Sequence, residues 1–297
     1  MDIRVLQYFL AVAREESITK AAQSLNMTQP PLSRQLKDLE DEVGKQLLIR
    51  GSKKVTLTED GILLRKRAEE IVALVKKTKS ELSLSEENIV GDIYIGSGET
   101  DAISTIAEAA KDLQNDYPLI RYHIYSGDAQ RILERLDKGL IDFGLLVEPF
   151  DTTKYAYIRL PINDTWGVLM PADSPLACKE NVCAEDLWDK PLIISHQTAH
   201  SDEMAAWMRR DFSELNIAVY YDLLYNASKF VKAGFGYAIA LDKLINTDND
   251  SRLCFRPLFP ALGAWLCIAW KRYQVFSKAA EKFLKQIQIK FSLKENI

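Results

Sequence analysis

The segment Ser17–Leu57 constrains this chain more than any other stretch of it. Within SITKAAQSLN, Ile18, Ala21, Ala22 and Leu25 recur at i, i+3, i+4 and i+7, one apolar helix face, with Ser17 as N-cap. The paired alanines leave room for a second helix to cross closely. Asn26 and Met27 supply the turn, and TQPPLSRQ (Thr28–Gln35) opens that second helix with Thr28 as N-cap. Pro30 and Pro31 are tolerated in its first turn, where the N–H groups have no intrahelical acceptor. Leu32, Leu36, Leu39 and Val43 form the buried stripe. Thr28, Gln29, Ser33, Arg34 and Lys37 then face outward beside Pro30, a short polar and cationic surface suited to base edges in a DNA major groove. Gln46–Arg50 and Lys54–Leu57 read as short strands joined through Gly51, Ser52 and Lys53. Arg50, Lys53 and Lys54 crowd the tip, placed for phosphate or a minor groove. A charged hairpin alone is more often a solvated turn on a small α+β domain. Helix, turn, helix and hairpin in this order predict a winged helix-turn-helix that binds double-stranded DNA.

These residues also carry a family resemblance. Ala21-Ala22 with Leu25, the TQPPLSRQ run, the Leu39-Glu40 pair, Gly44 and Leu47–Arg50 resemble the LysR-type transcriptional regulators. The likeness continues through a linker helix and an effector domain to Trp270, essentially the full length. It implies a sequence-specific transcriptional regulator whose DNA binding is modulated by a small-molecule effector. It further implies a homodimer, paired into a homotetramer through the effector domains, with RNA polymerase as a further candidate partner.

The net charge of −4 is at odds with DNA binding until it is divided along the chain. Residues 1–90 carry 15 Lys+Arg against 14 Asp+Glu, and the remainder 23 against 28. Positive charge is focused on Arg34, Lys37, Arg50, Lys53 and Lys54, and the local field is what a phosphate meets. Met1–Arg14 holds an amphipathic helix with Leu6, Phe9, Leu10 and Ala13 on one face, too short and polar to cross a bilayer. No membrane partner and a cytoplasmic location are expected. Cys178, Cys183, Cys254 and Cys267 lack C-x-x-C spacing and are expected as reduced side chains; no metal or cofactor is expected.

Thr58 caps a long helix with Glu59 and Asp60 at its positive end. Leu57, Gly61, Leu64, Ala68, Ile71, Val75, Thr78 and Leu82 alternate in spacings of 4 and 3, a heptad seam. The helix would run roughly 39 Å at 1.5 Å per residue, and a pair could hold recognition helices one DNA turn apart, ~34 Å. Leu64, Ala68, Ile71, Val75 and Leu82 are the candidate dimerisation residues. The competing interpretation is one amphipathic helix packed on its own domain. Ser83–Val90 follows as a hinge.

From Gly91 strands and helices alternate: strand Asp92–Gly96, helix Thr100–Asn115, strand Ile120–Tyr125, helix Asp128–Lys138, strand Phe143–Val147. This βαβαβ order predicts parallel strands with right-handed crossovers. Thr165–Met170, Leu192–Ser195, Val219–Leu224, Tyr237–Leu241 and Leu253–Pro257 supply a second set, Trp265–Trp270 returns to the first, and a helix over 275–289 closes it. The fold class is α/β overall. The domains are a mainly α winged helix-turn-helix over 1–57, a linker helix and hinge over 58–90, and a periplasmic-binding-protein-like effector domain over 91–297. Its lobe 1 spans about 91–163 and 266–297, and lobe 2 about 164–265.

Gly96-Ser97-Gly98 between strand and helix imitates the start of a dinucleotide fingerprint, which raises a nucleotide-binding enzyme as an alternative. The third glycine position is Asp101, and neither G-x-S-x-G nor a P-loop occurs, so catalysis is disfavoured. A free-standing solute receptor would not carry the DNA-binding half. An effector should sit between the lobes where helix N-termini converge. The candidates are Ser97, Gly98, Glu99 and Thr100 at the first turn, where the resemblance places effector contacts, and Ser195, His196, Gln197 and Thr198 opposite. Ser126, Leu146, Val147 and Asn226 come from the remaining strand ends. Thr100 and Asn226 have ordinary capping as a competing role. His196 and His200, at i and i+4, would pair on a metal only if helical and joined by a third ligand. Glu99 and Asp101 put negative charge where a carboxylate would dock, which favours an effector rich in amines or hydroxyls, unless Glu99 turns to solvent.

Overall fold

The computed structural model describes residues 1–51, 54–82, 89–248 and 252–292. The chain divides near residue 83 into two units. In the first, α1 (Ile3–Glu15) buries Leu6, Phe9, Ala11 and Val12, while Leu10 and the expected Ala13 are half-buried. Ser17 caps α2 (Ile18–Ser24) by accepting from Lys20 N at 3.3 Å. Ile18, Ala21 and Ala22 are buried in the core, and Asn26 makes the turn at φ +54°. In α3 (Gln29–Val43), Leu32, Leu36 and Leu39 are buried. Two details differ from the sequence expectation. Thr28 is the N-cap as expected, but its hydroxyl makes no capping bond, since the second and third helical positions are Pro30 and Pro31 with no N–H to offer. Val43 at the helix end, expected in the buried stripe, is 42% exposed.

The wing strands are shorter than the expected Gln46–Arg50 and Lys54–Leu57: β1 (Leu48–Arg50) pairs antiparallel with β2 (Val55–Leu57). Glu40 fastens this hairpin to α3, its carboxylate accepting from Leu47 N at 2.7 Å and Leu48 N at 3.0 Å. α4 (Glu59–Leu82) is capped by Thr58, whose hydroxyl accepts from Gly61 N at 3.0 Å and donates to Gln46 O at 2.8 Å. A Cβ on Gly61 would lie 2.2 Å from Leu47 O, so only glycine lets α4 start against the hairpin.

The apolar seam of α4 divides. Gly61 and Ala68 are buried and Leu64 packs on the core of this unit, because α1 lies along this part of the helix. The apolar surface left exposed comprises Ile62, Leu63, Ile71 and Leu74; Val75 is half-buried. The side chain of Leu82 and the expected hinge over 83–88 lie outside the described residues.

The second unit runs β3 (Gly91–Ser97), α5 (Ile103–Asp116), β4 (Ile120–Ser126), α6 (Ala129–Asp137), β5 (Phe143–Val147) and β6 (Tyr155–Pro171). It continues with β7 (Leu192–Ser195), α7 (Asp202–Met208), β8 (Ile217–Tyr221), α8 (Leu224–Lys232), β9 (Tyr237–Leu241), β10 (Leu253–Pro257), β11 (Gly263–Lys271) and α9 (Lys278–Ser292). The strand order is β4-β3-β5-β11-β6-β9-β7-β8, with β10 paired to β6. β4, β3 and β5 are parallel, as are β8, β7 and β9, whereas β6 and β11 run antiparallel to their neighbours. β6 pairs with β11 through Tyr155–Arg159 and with β9 through Trp166–Leu169, so one strand serves both halves.

Each half has its own core. Ile93, Ile95, Phe143, Leu266 and Ile268 pack with Ile106 and Phe283 in lobe 1. In lobe 2 Val168, Met170, Leu192, Ile194 and Ile239 pack with Met204 and Met208. Three boundaries differ from the sequence expectation. Thr100–Ala102 form a turn before α5, β6 begins ten residues before the expected strand over Thr165–Met170, and Leu224 starts α8 instead of ending a strand. The run YYDLLY is uniformly apolar apart from Asp222, so its change from strand to helix leaves no mark in hydropathy.

Candidate functional site

The exposed face of α3 carries Thr28, Gln29, Pro30, Arg34 and Lys37, with Ser33 half-buried beside them. The three buried leucines fix the roll of the helix and hence this face. Arg50, on the adjoining strand, reaches Ser33 Oγ at 3.4 Å and Glu40 at 3.8 Å, which joins the wing to the recognition helix. Lys54 pairs with Glu16 at 3.4 Å. Lys53 lies outside the described residues. The Lys54–Glu16 pair is solvent-exposed on both sides and weak, so Lys54 can turn to phosphate, whereas Glu40 in the Arg50 pair is only 15% exposed.

In the second unit the loops after β3, β4, β7 and β8 meet between the lobes around a cavity of ≈ 110 Å³. Of the expected effector residues, Gly98, Glu99, Val147, Ser195 and His196 line it, as does Gln197. Ser97 is buried and donates to Gly98 O at 2.6 Å. Thr100 is buried too, and its hydroxyl donates to the Asp164 carboxylate and accepts from Ala102 N at 3.1 Å. Thr198 is buried and shares a 2.6 Å hydroxyl contact with Ser195. Leu146 belongs to the core, and Ser126 and Asn226 are exposed away from the cavity lining.

Sequence reasoning missed Gly127, Asp128, Trp166, Tyr221, Asp222, Leu224, Leu241 and Leu244, which also line the cavity. Asp128 and Asp222 flank strand-to-helix turns, the signal that could have found them. Trp166 and Leu244 are contributed by the crossing strand and a loop that no local pattern marks.

Glu99 faces the cavity. It belongs to lobe 1, and its carboxylate accepts from the backbone N–H of Leu224, the first residue of α8 in lobe 2. Leu223, at the N-cap of α8, offers no side-chain acceptor, so Glu99 takes that role from across the cleft. A second cross-lobe contact lies beside it: Arg131 Nη1 stands 3.7 Å from Asp222 while its Nε pairs with Asp128 at 3.3 Å. Burial, and then the charge of Glu99, raise the Tyr221 phenol, whose hydroxyl donates to Ile239 O at 2.8 Å. Beneath the cleft Asp164, 2% exposed, is held above the usual carboxylate range by burial, against the hydrogen bond from Thr100.

The competing nucleotide fingerprint has another explanation. A Cβ on Gly96 would lie 2.7 Å from Ile141 Cδ1 and 3.2 Å from Ile132 Cγ2 of α6, so this glycine serves close packing of β3 against α6 and the loop after it. His200 Nδ1 lies 2.8 Å from His196 O and the His196 ring stacks on Tyr220, an arrangement for packing. No cluster of three or more metal-ligating side chains occurs among the described residues. The four cysteines are free; burial and the Glu148 carboxylate push the Cys267 thiol up to about 12. No described helix is long and apolar enough to cross a membrane.

A helix face open to DNA and a cleft between two α/β lobes, on one chain, define an effector-responsive DNA-binding regulator. The chain belongs to the LysR family of transcriptional regulators. Residues 3–62 match the bacterial regulatory helix-turn-helix protein, lysR family, and residues 87–292 match the LysR substrate binding domain. It is similar to the HTH-type transcriptional regulator BsdA of Bacillus subtilis, 34% identical over 65% of this chain and 67% of that protein. The Hca operon transcriptional activator HcaR of Escherichia coli is 27% identical over 97% of both chains. The crystal structure of full-length CbnR complexed with target DNA superposes with a TM-score of 0.76 at 18% identity, over 97% of this chain and 99% of that one. These relatives are regulators, not enzymes, and effector-modulated DNA binding is the function of the chain.

Proposed function

We propose that this regulator reads its operator as a homodimer joined along α4 and senses a small effector between the two lobes. Gln29, Ser33 and Arg34 meet base edges, Thr28 and Pro30 position the helix start, and Lys37, Arg50, Lys53 and Lys54 hold phosphate. On α4, Leu63, Ile71 and Leu74 fall within about 80° of arc. They and Val75 form the face for a second copy, while Leu64 and Ala68 are used within the protomer. Pairing of dimers through the effector units and contact with RNA polymerase in the cytoplasm complete the assembly.

The observation that carries the effector reading is the cross-lobe bond from Leu224 N–H to Glu99 at the cavity wall. A ligand that replaces or reinforces it changes how the lobes close, and by linkage the affinity for DNA. The cavity is lined by Glu99, Asp128 and Asp222, with no lysine or arginine among the described lining residues, which favours an amine- or hydroxyl-bearing compound. Its volume is below the ~300 Å³ usual for ligand sites, so the effector is small or binds a more open state. A thermal-shift screen of purified protein against metabolites tests this. Amine-bearing hits with concentration-dependent stabilisation that weaken in Glu99→Gln are expected. Tight dicarboxylate binding undiminished in that variant would overturn the effector class.

A further inference from the structure

We propose that Glu99 is an internal ligand that decides which effectors the cleft accepts. Its carboxylate occupies, from lobe 1, the position at the start of α8 where a carboxylate effector would find a free N–H in lobe 2. Three independent features support this. Leu223 leaves that N–H without a local side-chain acceptor. Arg131 of lobe 1 stands 3.7 Å from Asp222 of lobe 2 beside this bond, and the cavity is ≈ 110 Å³. Among the described lining residues there is no lysine or arginine, and the neighbouring Arg131 is already engaged by Asp128 and Asp222. Hence the wild-type cleft refuses acids because it already holds one, and the resident acid holds the lobes together in the absence of effector. A cationic group arriving beside Glu99 draws it from α8 and loosens that contact.

The inference rests on the cleft being the effector site only for its regulatory meaning; the place of Glu99 is tested without any effector. Glu99→Ala removes a CH₂ and a carboxylate, which acetate replaces almost atom for atom. In the full-length protein, Glu99→Ala is expected to lower the melting temperature by about 2–4 °C. Sodium acetate at about 50 mM, against sodium chloride of equal ionic strength, is expected to restore part of that loss and leave wild type unmoved. Glu99→Gln keeps the shape of the side chain and provides the second variant. Its expected loss is smaller, with no recovery in acetate because the amide fills the space. A Glu99→Ala protein as stable as wild type, or acetate shifting all three proteins alike, overturns the inference. If Glu99→Ala fails to fold, a Glu99→Gln melting temperature equal to that of wild type does so. The effector-site reading fails separately, if metabolite hits are indifferent to Trp166→Ala while acetate still rescues Glu99→Ala.

Discussion

The recognition helix and the effector cleft solve opposite problems. Along α3, Gln29, Arg34 and Lys37 are exposed and make no side-chain hydrogen bond or ion pair among the described residues. Water satisfies them, so leaving them unpaired costs nothing. In the cleft the polar groups are satisfied from within: Glu99 by the Leu224 N–H, Thr100 by Asp164, Ser195 by Thr198. Partly or fully shielded groups must be paired, since a buried donor or acceptor without a partner costs ~1–3 kcal/mol. Surface polar groups can therefore stay unpaired, whereas those in the cleft are paired from within, and on the proposed reading an effector would displace those partners.

This contrast is open to direct attack. Arg34→Ala should weaken operator binding by about 1–3 kcal/mol in fluorescence anisotropy and blur sequence preference, with the melting temperature unchanged. A lowered melting temperature would make Arg34 a structural residue and break the contrast on the DNA side. On the cleft side, Asp164 titrates above its unfolded value because it is buried. Its stabilising contribution is full below the unfolded carboxyl range and is lost as pH rises through the raised folded value. Denaturation of wild type and Asp164→Asn across that range should show wild type falling relative to the variant as pH rises. Parallel pH profiles would show that the burial of Asp164 has no hold on the fold. The smallest effect is expected at the wing. Lys54→Ala should reduce the slope of log affinity against log salt by about 1 for all sequences. The loss of its exposed partner Glu16 should change stability by less than ~1 kcal/mol. An unaltered salt slope would take Lys54 out of the phosphate contacts.

The DNA-reading half was legible in the sequence because each of its parts is local. Ser17, Ala21-Ala22, Pro30-Pro31 and the leucine stripe of α3 act within one or two helical turns, and their burial follows the period. The α4 seam was legible as a pattern but not as a partnership. Period alone does not say whether α1 or a second chain covers Leu64 and Ala68. In the cleft, the turns at Glu99 and Ser195 were found from strand-to-helix switches, whereas Asp128, Trp166 and Leu244 were missed. Those residues come together through contacts across long sequence separations, as does the Glu99–Leu224 bond itself. Thr28 shows a smaller limit: its N-cap position was legible, but the prolines at the next two bonding positions leave its hydroxyl no N–H to cap.

The path of β6 and β11 has a consequence for how such sensors diversify. The second lobe leaves the first along β6 and returns along β11, and Thr165 and Gly263 stand opposite each other in the ladder where it departs and rejoins. That lobe is thus one continuous insertion whose two ends are neighbours. It can be exchanged for a related segment with two cuts and no new loop to close, leaving the strands β4-β3-β5 of the host untouched. A graft of this kind would carry His196, Asp222 and Leu224 to a new host but leave Glu99 behind. A recombined sensor would inherit half of its ligand preference from each parent.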